Sequence, residues 1–238
     1  MEFEILRVSK DEINRIKDSV IEESWINILI NNMTIFSTTC LFEAVKEFTY
    51  GFLRTEGIIQ SLEDIKDTKI KDSSIFISIP TFKVYKRYKG EGTISLLPIK
   101  YHIRFSSELI INIGKHFDSI GKLYRSTGGS HIAALYNLKG ECLIHFEDIN
   151  RRNAADKIAG YMLLNNINAG DKILMTSGRM ASDIIIKVRR AGIPIIISKS
   201  APTNRGIETA HKLNVTMIGF LRENRFNLYN NFHNLILN

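Results

Sequence analysis

The sequence predicts an α/β fold in which a mixed sheet covered by helices (residues 105–238) follows a smaller β-rich α+β part (residues 1–104). Three observations predict it. Between Ile173 and Tyr229, three short apolar runs, Ile173–Met175, Ile193–Ile197 and Val215–Ile218, alternate with two helical patterns, which reads as β-α-β-α-β. Just upstream, His131–Tyr136 and Cys142–Phe146 are joined by Asn137-Leu138-Lys139-Gly140, an antiparallel hairpin that turns a parallel set into a mixed sheet. The first hundred residues, by contrast, are mostly strand-like runs around one helical pattern.

Residues 3–8 alternate like a strand, and Ser24–Ile30 and Thr34–Thr38 flank Asn31-Asn32, residues that suit a tight hairpin turn. From Leu41 to Thr55 the period becomes helical, with Leu41, Val45, Phe48 and Phe52 on one face and Gly57 as a stop. Gly51 inside that pattern costs propensity and points to a close packing contact. Three further strand-like runs follow: Ser74–Ile79, Phe82–Tyr88 and Thr93–Phe105. Lys83, Lys86, Arg87 and Lys89 beside Tyr85 and Tyr88 suit a lysine-protected edge strand, the preferred reading, and also a nucleic-acid surface. Ser106 or Ser107 caps a long helix striped by Ile110, Ile113, Phe117, Ile120 and Tyr124 and ended by Gly128-Gly129. Residues 147–153 lead into another helix, with Ile158, Met162 and Leu163 on one face and Gly170 beyond it.

Composition is that of a globular protein, 44% hydrophobic and 24% charged, and no apolar run approaches the ~20 residues of a membrane span. The opening Met1-Glu2-Phe3-Glu4 lacks a signal peptide's basic start and apolar core, so the expected location is cytoplasmic, with no membrane partner. Two cysteines, Cys40 and Cys142, with no CxxC or Cys/His ligand spacing, exclude a disulfide framework and a structural zinc site. The formal charge of +7 points to anionic partners.

Each of the three apolar runs is followed by small, polar or basic residues: Thr176-Ser177-Gly178-Arg179, Ser198-Lys199-Ser200-Ala201-Pro202-Thr203, and Gly219-Phe220-Leu221-Arg222-Glu223-Asn224-Arg225. Right-handed crossovers leave all three segments at one edge of the sheet, where open α/β sheets take ligands. Two of them lead into helices, whose first N–H groups lack internal partners and whose dipoles favour anions. Ser177 and Thr203 are the expected caps, and Arg179, Lys199, Arg222 and Arg225 add full charges suited to phosphate. Ordinary caps with solvated basic residues are the alternative for any one segment.

Four longer stretches then resemble one family. Gly51-Phe52-Leu53-Arg54-Thr55-Glu56-Gly57, Thr127-Gly128-Gly129-Ser130-His131-Ile132-Ala133, Glu147 to Lys157 and Ser177 to Lys187 resemble, in order, the GFLxxEG, TGGxHxA, EDxGRHNAxDK and SGRxSxExxxK motifs of the FdhD family. Ser200–Thr203, Gly219–Arg222 and Asn227–Tyr229 complete the series. The resemblance covers nearly the whole chain. It implies a cytidine-deaminase-like C-terminal domain, a homodimer, and an accessory role in formate dehydrogenase maturation. In that role, sulfur is taken as a persulfide from a cysteine desulfurase and passed to the bis-guanine-dinucleotide form of molybdenum cofactor. The cofactor-binding residues it implies here are Phe220, Leu221, Arg222, Glu223, Asn224 and Arg225, joined at the same sheet edge by Ser177, Gly178, Arg179, Ser200, Ala201, Pro202, Thr203 and His131. A guanine nucleotide such as GDP is the simpler ligand of the same kind.

The sequence departs from the family where chemistry is concerned. The family's CxxC lies ahead of the long helix, where this chain reads Arg104-Phe105-Ser106-Ser107-Glu108-Leu109. Serine cannot replace a persulfide-carrying thiolate. The family's Gly-Arg-His becomes Asn150-Arg151-Arg152, and Ala181 and Asp183 stand for its Ser and Glu. Cys40, ahead of a helix, is the only candidate carrier, while Cys142 opens an apolar strand and is assigned to the core. Deamination is excluded because HxE with PCxxC is missing, and no zinc is expected. Three readings follow: the sulfurtransferase accessory factor, a non-catalytic carrier or chaperone for the cofactor or a guanine nucleotide, and, third, a basic nucleic-acid-binding protein.

Overall fold

The computed structural model describes residues 1–80, 96–100, 103–233 and 235–236. The chain opens with a hairpin of β1 (Glu2–Val8) and β2 (Ile13–Ser19), in register from Glu2 opposite Ser19 to Val8 opposite Ile13. Next come β3 (Ser24–Ile30) and β4 (Met33–Cys40), turned by Asn31 and Asn32 at φ +48° and +66°, a conformation that asparagine tolerates well. Helix α1 (Val45–Thr55) crosses to β5 (Asp67–Lys71) and β6 (Ser74–Ser78), giving a four-stranded sheet in the order β4-β3-β6-β5 with β3 and β6 parallel.

Helix α1 begins later than the Leu41 its periodicity suggests. Ala44 sits at φ +51°, which no helix continues through, and Leu41 is held elsewhere, its N–H on the Asp148 carboxylate and its carbonyl on the Lys157 ammonium. The predicted strand at 82–88 lies outside the described residues. Of the one predicted at 93–105, residues 96–100 form an irregular strap, its Ile99 N–H on the Leu213 carbonyl, and among the described residues only Phe105–Ser106 is extended, as β7.

The predicted long helix is two. Ser106 caps α2 (Ser107–Ser119) by accepting the Leu109 N–H, and Ile110, Ile113 and Phe117 are buried as expected. Gly121, at φ +83°, then breaks the helix. Helix α3 (Lys122–Thr127) starts afresh because the Glu147 carboxylate takes the N–H groups of Leu123 and Tyr124, and Tyr124 stands exposed rather than in the stripe.

Strands β8 (His131–Asn137) and β9 (Cys142–Asp148) form the expected hairpin. Helix α4 (Arg151–Leu164) leads to β10 (Lys172–Thr176), α5 (Ser182–Ala191), β11 (Ile195–Ser198), α6 (Asn204–Leu213), β12 (Thr216–Arg222), β13 (Arg225–Asn230) and β14 (Leu235–Ile236), which pairs with β7. The mixed sheet runs β13-β12-β11-β10-β8-β9, with β10, β11 and β12 parallel as predicted. Alternate strand residues face opposite layers. Leu135, Leu174, Ile196 and Met217 meet α4, α5 and α6, while Tyr136, Ile173, Ile197 and Ile218 meet α2.

The β-rich part is fastened to this sheet through α1 and α4. A Cβ on Gly51 would lie 1.7 Å from the Asp156 carbonyl oxygen, and one on Gly160 1.8 Å from that of Glu47, so the two backbones touch where the helices cross. Beside the crossing, buried Lys187 donates to both Asp156 oxygens at 3.0 Å, to Thr55 at 3.0 Å and to Glu56 at 2.8 Å. A second buried pair, Lys157–Asp148 at 2.8 Å, ties α4 to the start of α1's lead-in segment.

Candidate anion-binding site

The three sheet-edge segments do come together, through backbone bonds. Met180 N–H donates to the Ala201 carbonyl and Thr203 N–H to that of Met180, zipping the β10 and β11 loops around Pro202. Phe220 N–H donates to the Ser200 carbonyl, and the Arg222 guanidinium to the Lys199 carbonyl at 2.7 Å. Thr203 caps α6 by accepting the Gly206 N–H.

Several expected roles change. Ser177 caps nothing, because α5 starts only after Ala181; its hydroxyl accepts the Ile132 N–H at 3.0 Å and lies 3.3 Å from His131 Nδ1. Phe220, Leu221 and Arg222 are not loop residues but the end of β12, and only Glu223 and Asn224 turn the chain into β13. Leu221 is wholly buried against Gly114 of α2, so its side chain faces the core and not a ligand. Lys199 is engaged by Asp118 at 2.6 Å.

What sequence reasoning missed is a basic cleft that adjoins the β10 loop. Asn150 caps α4 by accepting the Arg152 N–H at 3.0 Å, and this places Arg151 and Arg152 at the N-terminal end of a fourteen-residue helix. Arg151 lays its aliphatic part on Gly178, where a Cβ would come within 2.7 Å of it; only glycine fits beneath. Arg152 is ion-paired to Asp183 across to α5. His131, Asn150, Arg151 and Arg152 line a cleft of about 590 Å³ walled by Ile21 and Ile149. Arg151 and Arg152 were visible only as departures from a motif, 28 and 27 residues before Arg179 in sequence. Their charges act on one another: burial and then Arg152 hold the Arg151 guanidinium below its ordinary value, Arg179 adding to the effect. Burial and then Arg151 hold His131 below the usual imidazole range. Arg151 Nε is closed off from solvent and has no hydrogen-bond partner among the described residues. A half-buried cation in that position lacks the acceptor it needs.

The thiols stand apart from this cleft chemically. Cys40 is buried at the end of β4 rather than at a helix N-terminus, and burial, then Asp148, push its pKa up to about 11, so the candidate carrier is a neutral core thiol. Cys142 is half-buried and also raised by burial. Ahead of α2, where the resemblance implies a CxxC, Phe105–Ser106 is a short strand whose Ser106 caps the helix. No group of three or more potential metal-ligating side chains occurs among the described residues.

The sequence model of the FdhD/NarQ family matches residues 21–236. "Sulfur carrier protein FdhD" of Bacillus subtilis is 31% identical over 95% of this chain and 94% of its own length, and that of Methanothermobacter thermautotrophicus 32% over 99% and 98%. "Protein FdhD" of Methanocaldococcus jannaschii is 35% identical over 88% and 86%. A crystal structure from Desulfotalea psychrophila, described as a formate dehydrogenase accessory protein, superposes with a TM-score of 0.85 at 24% identity over 98% of this chain and 99% of its own, which shows the shared fold. By its motifs, their order and these matches, the chain belongs to the FdhD/NarQ family.

Proposed function

We propose that the chain serves formate dehydrogenase maturation by holding a pyrophosphate-bearing guanine dinucleotide, the bis-guanine-dinucleotide molybdenum cofactor or a simpler guanine nucleotide, in the arginine cleft. The observation that carries this reading is Arg151, a half-buried guanidinium with an unpartnered Nε at a helix N-terminus, within electrostatic reach of Arg152 and Arg179. Arg151, Arg179 and His131 would hold phosphate oxygens, with Arg152, largely neutralised by its pairing with Asp183, beside them. The cofactor, when bound, supplies the molybdenum; this chain's residues supply phosphate recognition. A formate dehydrogenase is the proposed client, a cysteine desulfurase the proposed sulfur source, and a second copy of the chain the proposed subunit partner.

Calorimetric titration with GDP tests the cleft. Arg151→Ala and Arg179→Ala are each expected to weaken binding roughly tenfold or more, as loss of a charge-assisted bond implies. Arg7→Ala, in an exposed pair with Asp18 on the N-terminal hairpin, should bind like wild type. Equal affinity in all three variants would place the ligand elsewhere.

The relatives are named sulfur carriers, but the thiols of this chain favour a holding role over a carrying one. Incubated with a desulfurase and cysteine, the protein should show by intact mass no gain of a sulfur atom on Cys40 or Cys142. A stoichiometric persulfide on either would restore the transfer reading.

A further inference from the structure

We infer that Ser177 is a positioning residue that fixes His131 as the tautomer protonated on Nε2, so that a ligand in the cleft meets a neutral donor beside the guanidiniums. The inference rests on reading the cleft as an anion site and assigns two of its residues distinct tasks.

Ser177 continues the β8–β10 ladder by one step. Its N–H donates to the Ile132 carbonyl at 3.0 Å, and the Ile132 N–H returns a bond to its hydroxyl at 3.0 Å, so the side-chain oxygen stands where a backbone carbonyl would. A serine hydroxyl has one hydrogen and two lone pairs. One lone pair is taken by Ile132, and the single acceptor within hydrogen-bond reach of its hydrogen among the described residues is His131 Nδ1, at 3.3 Å. A ring that accepts at Nδ1 carries its proton on Nε2 when neutral. The surroundings disfavour a second proton: burial first, then Arg151 from α4 and, more weakly, Arg179 from the β10 loop oppose it, while among the described residues Asp148 of β9 favours one.

His131 lines the cleft, so its remaining polar atom, Nε2–H, is the one offered to a ligand. A fourth cation there would repel Arg151, and the opposite tautomer would present a lone pair to an anion. The hydroxyl removes both possibilities without adding charge. Phosphate oxygens, which only accept, are the chemistry this arrangement admits.

The test combines a spectrum with a titration. Long-range ¹H–¹⁵N spectra of the ligand-free protein at pH 7.5 should show His131 of wild type and Ser177→Thr as the Nε2–H tautomer and that of Ser177→Ala as a mixture. GDP should bind wild type and Ser177→Thr within about twofold of each other and Ser177→Ala about fivefold to tenfold more weakly. An Nδ1–H or doubly protonated ring in wild type, or unchanged affinity in Ser177→Ala, would overturn the inference. A pure Nε2–H tautomer in a wild type that fails to bind GDP would overturn the anion-site reading instead, and with it the role given to the donor.

Discussion

Gly160→Ala is expected to destabilise the protein by about 3–5 kcal/mol, a loss of roughly 10 °C in melting temperature for a chain of this length. The added Cβ would fall 1.8 Å from the Glu47 carbonyl oxygen, and its neighbour on the other helix, the Gly51 N–H, is only 2.8 Å away. Neither is the end of a flexible side chain that could turn aside. Relief therefore requires α1 and α4 to separate, and these two helices carry the join between the β-rich part and the mixed sheet. Gly51→Ala should act alike, with its Cβ 1.7 Å from the Asp156 carbonyl. An alanine on an exposed helix would by contrast stabilise relative to glycine. Thermal unfolding followed by circular dichroism decides it: a melting temperature within about 2–3 °C of wild type in either variant would contradict a backbone-to-backbone crossing.

Lys187→Met should cost a similar 3–5 kcal/mol, for a different reason. Methionine matches the lysine stem in bulk but leaves the Asp156 carboxylate, wholly buried, with Thr55 as its remaining side-chain donor. In the native protein burial opposes the Lys187 charge, but the carboxylates of Asp156 and Glu56 prevail and hold its pKa above the ordinary value. Taking away one partner thus strands the other. The double variant Asp156→Leu, Lys187→Met should recover most of the loss, since an apolar replacement of a buried pair is often close to neutral. Urea denaturation of the single and double variants gives the coupling directly. A single Lys187→Met variant within 1 kcal/mol of wild type would contradict the account.

The parallel strands, two of the hairpins and the meeting of the three sheet-edge segments were legible in the sequence because each rests on a short-range pattern. β10 to β12 are unbroken apolar runs between helical periods, and Asn31-Asn32 carries its own turn chemistry. Strands β2 and β5 were missed for the converse reason. Ile13–Ser19 and Asp67–Lys71 have no clean apolar alternation, being edge or hairpin strands with few buried residues. The break at Gly121 was hidden because the apolar stripe continues through it, and the new helix beyond it is started by Glu147, a residue distant in sequence on β9. Gly51 alone announced its tertiary role, since a glycine inside a strong helical period needs a reason. Arg151 could not announce its own: it meets Gly178 and Arg179 only because α4 crosses beside the β10 loop, which no local pattern records.

Arg151 and Arg152 aside, the most recognisable motif of the chain, Glu147 to Lys157, turns out to be occupied with architecture. Glu147 starts a helix, Asp148 and Lys157 grip the segment before α1, Asn153 reaches the Thr39 carbonyl, and Asp156 anchors Lys187. Such a motif can persist whatever reaction its bearers carry out. A lineage that shed its reactive sulfur would keep every one of these residues, because losing them would dismantle the molecule first; shared lettering at this position therefore vouches for a common skeleton and leaves the chemistry to be established separately in each descendant.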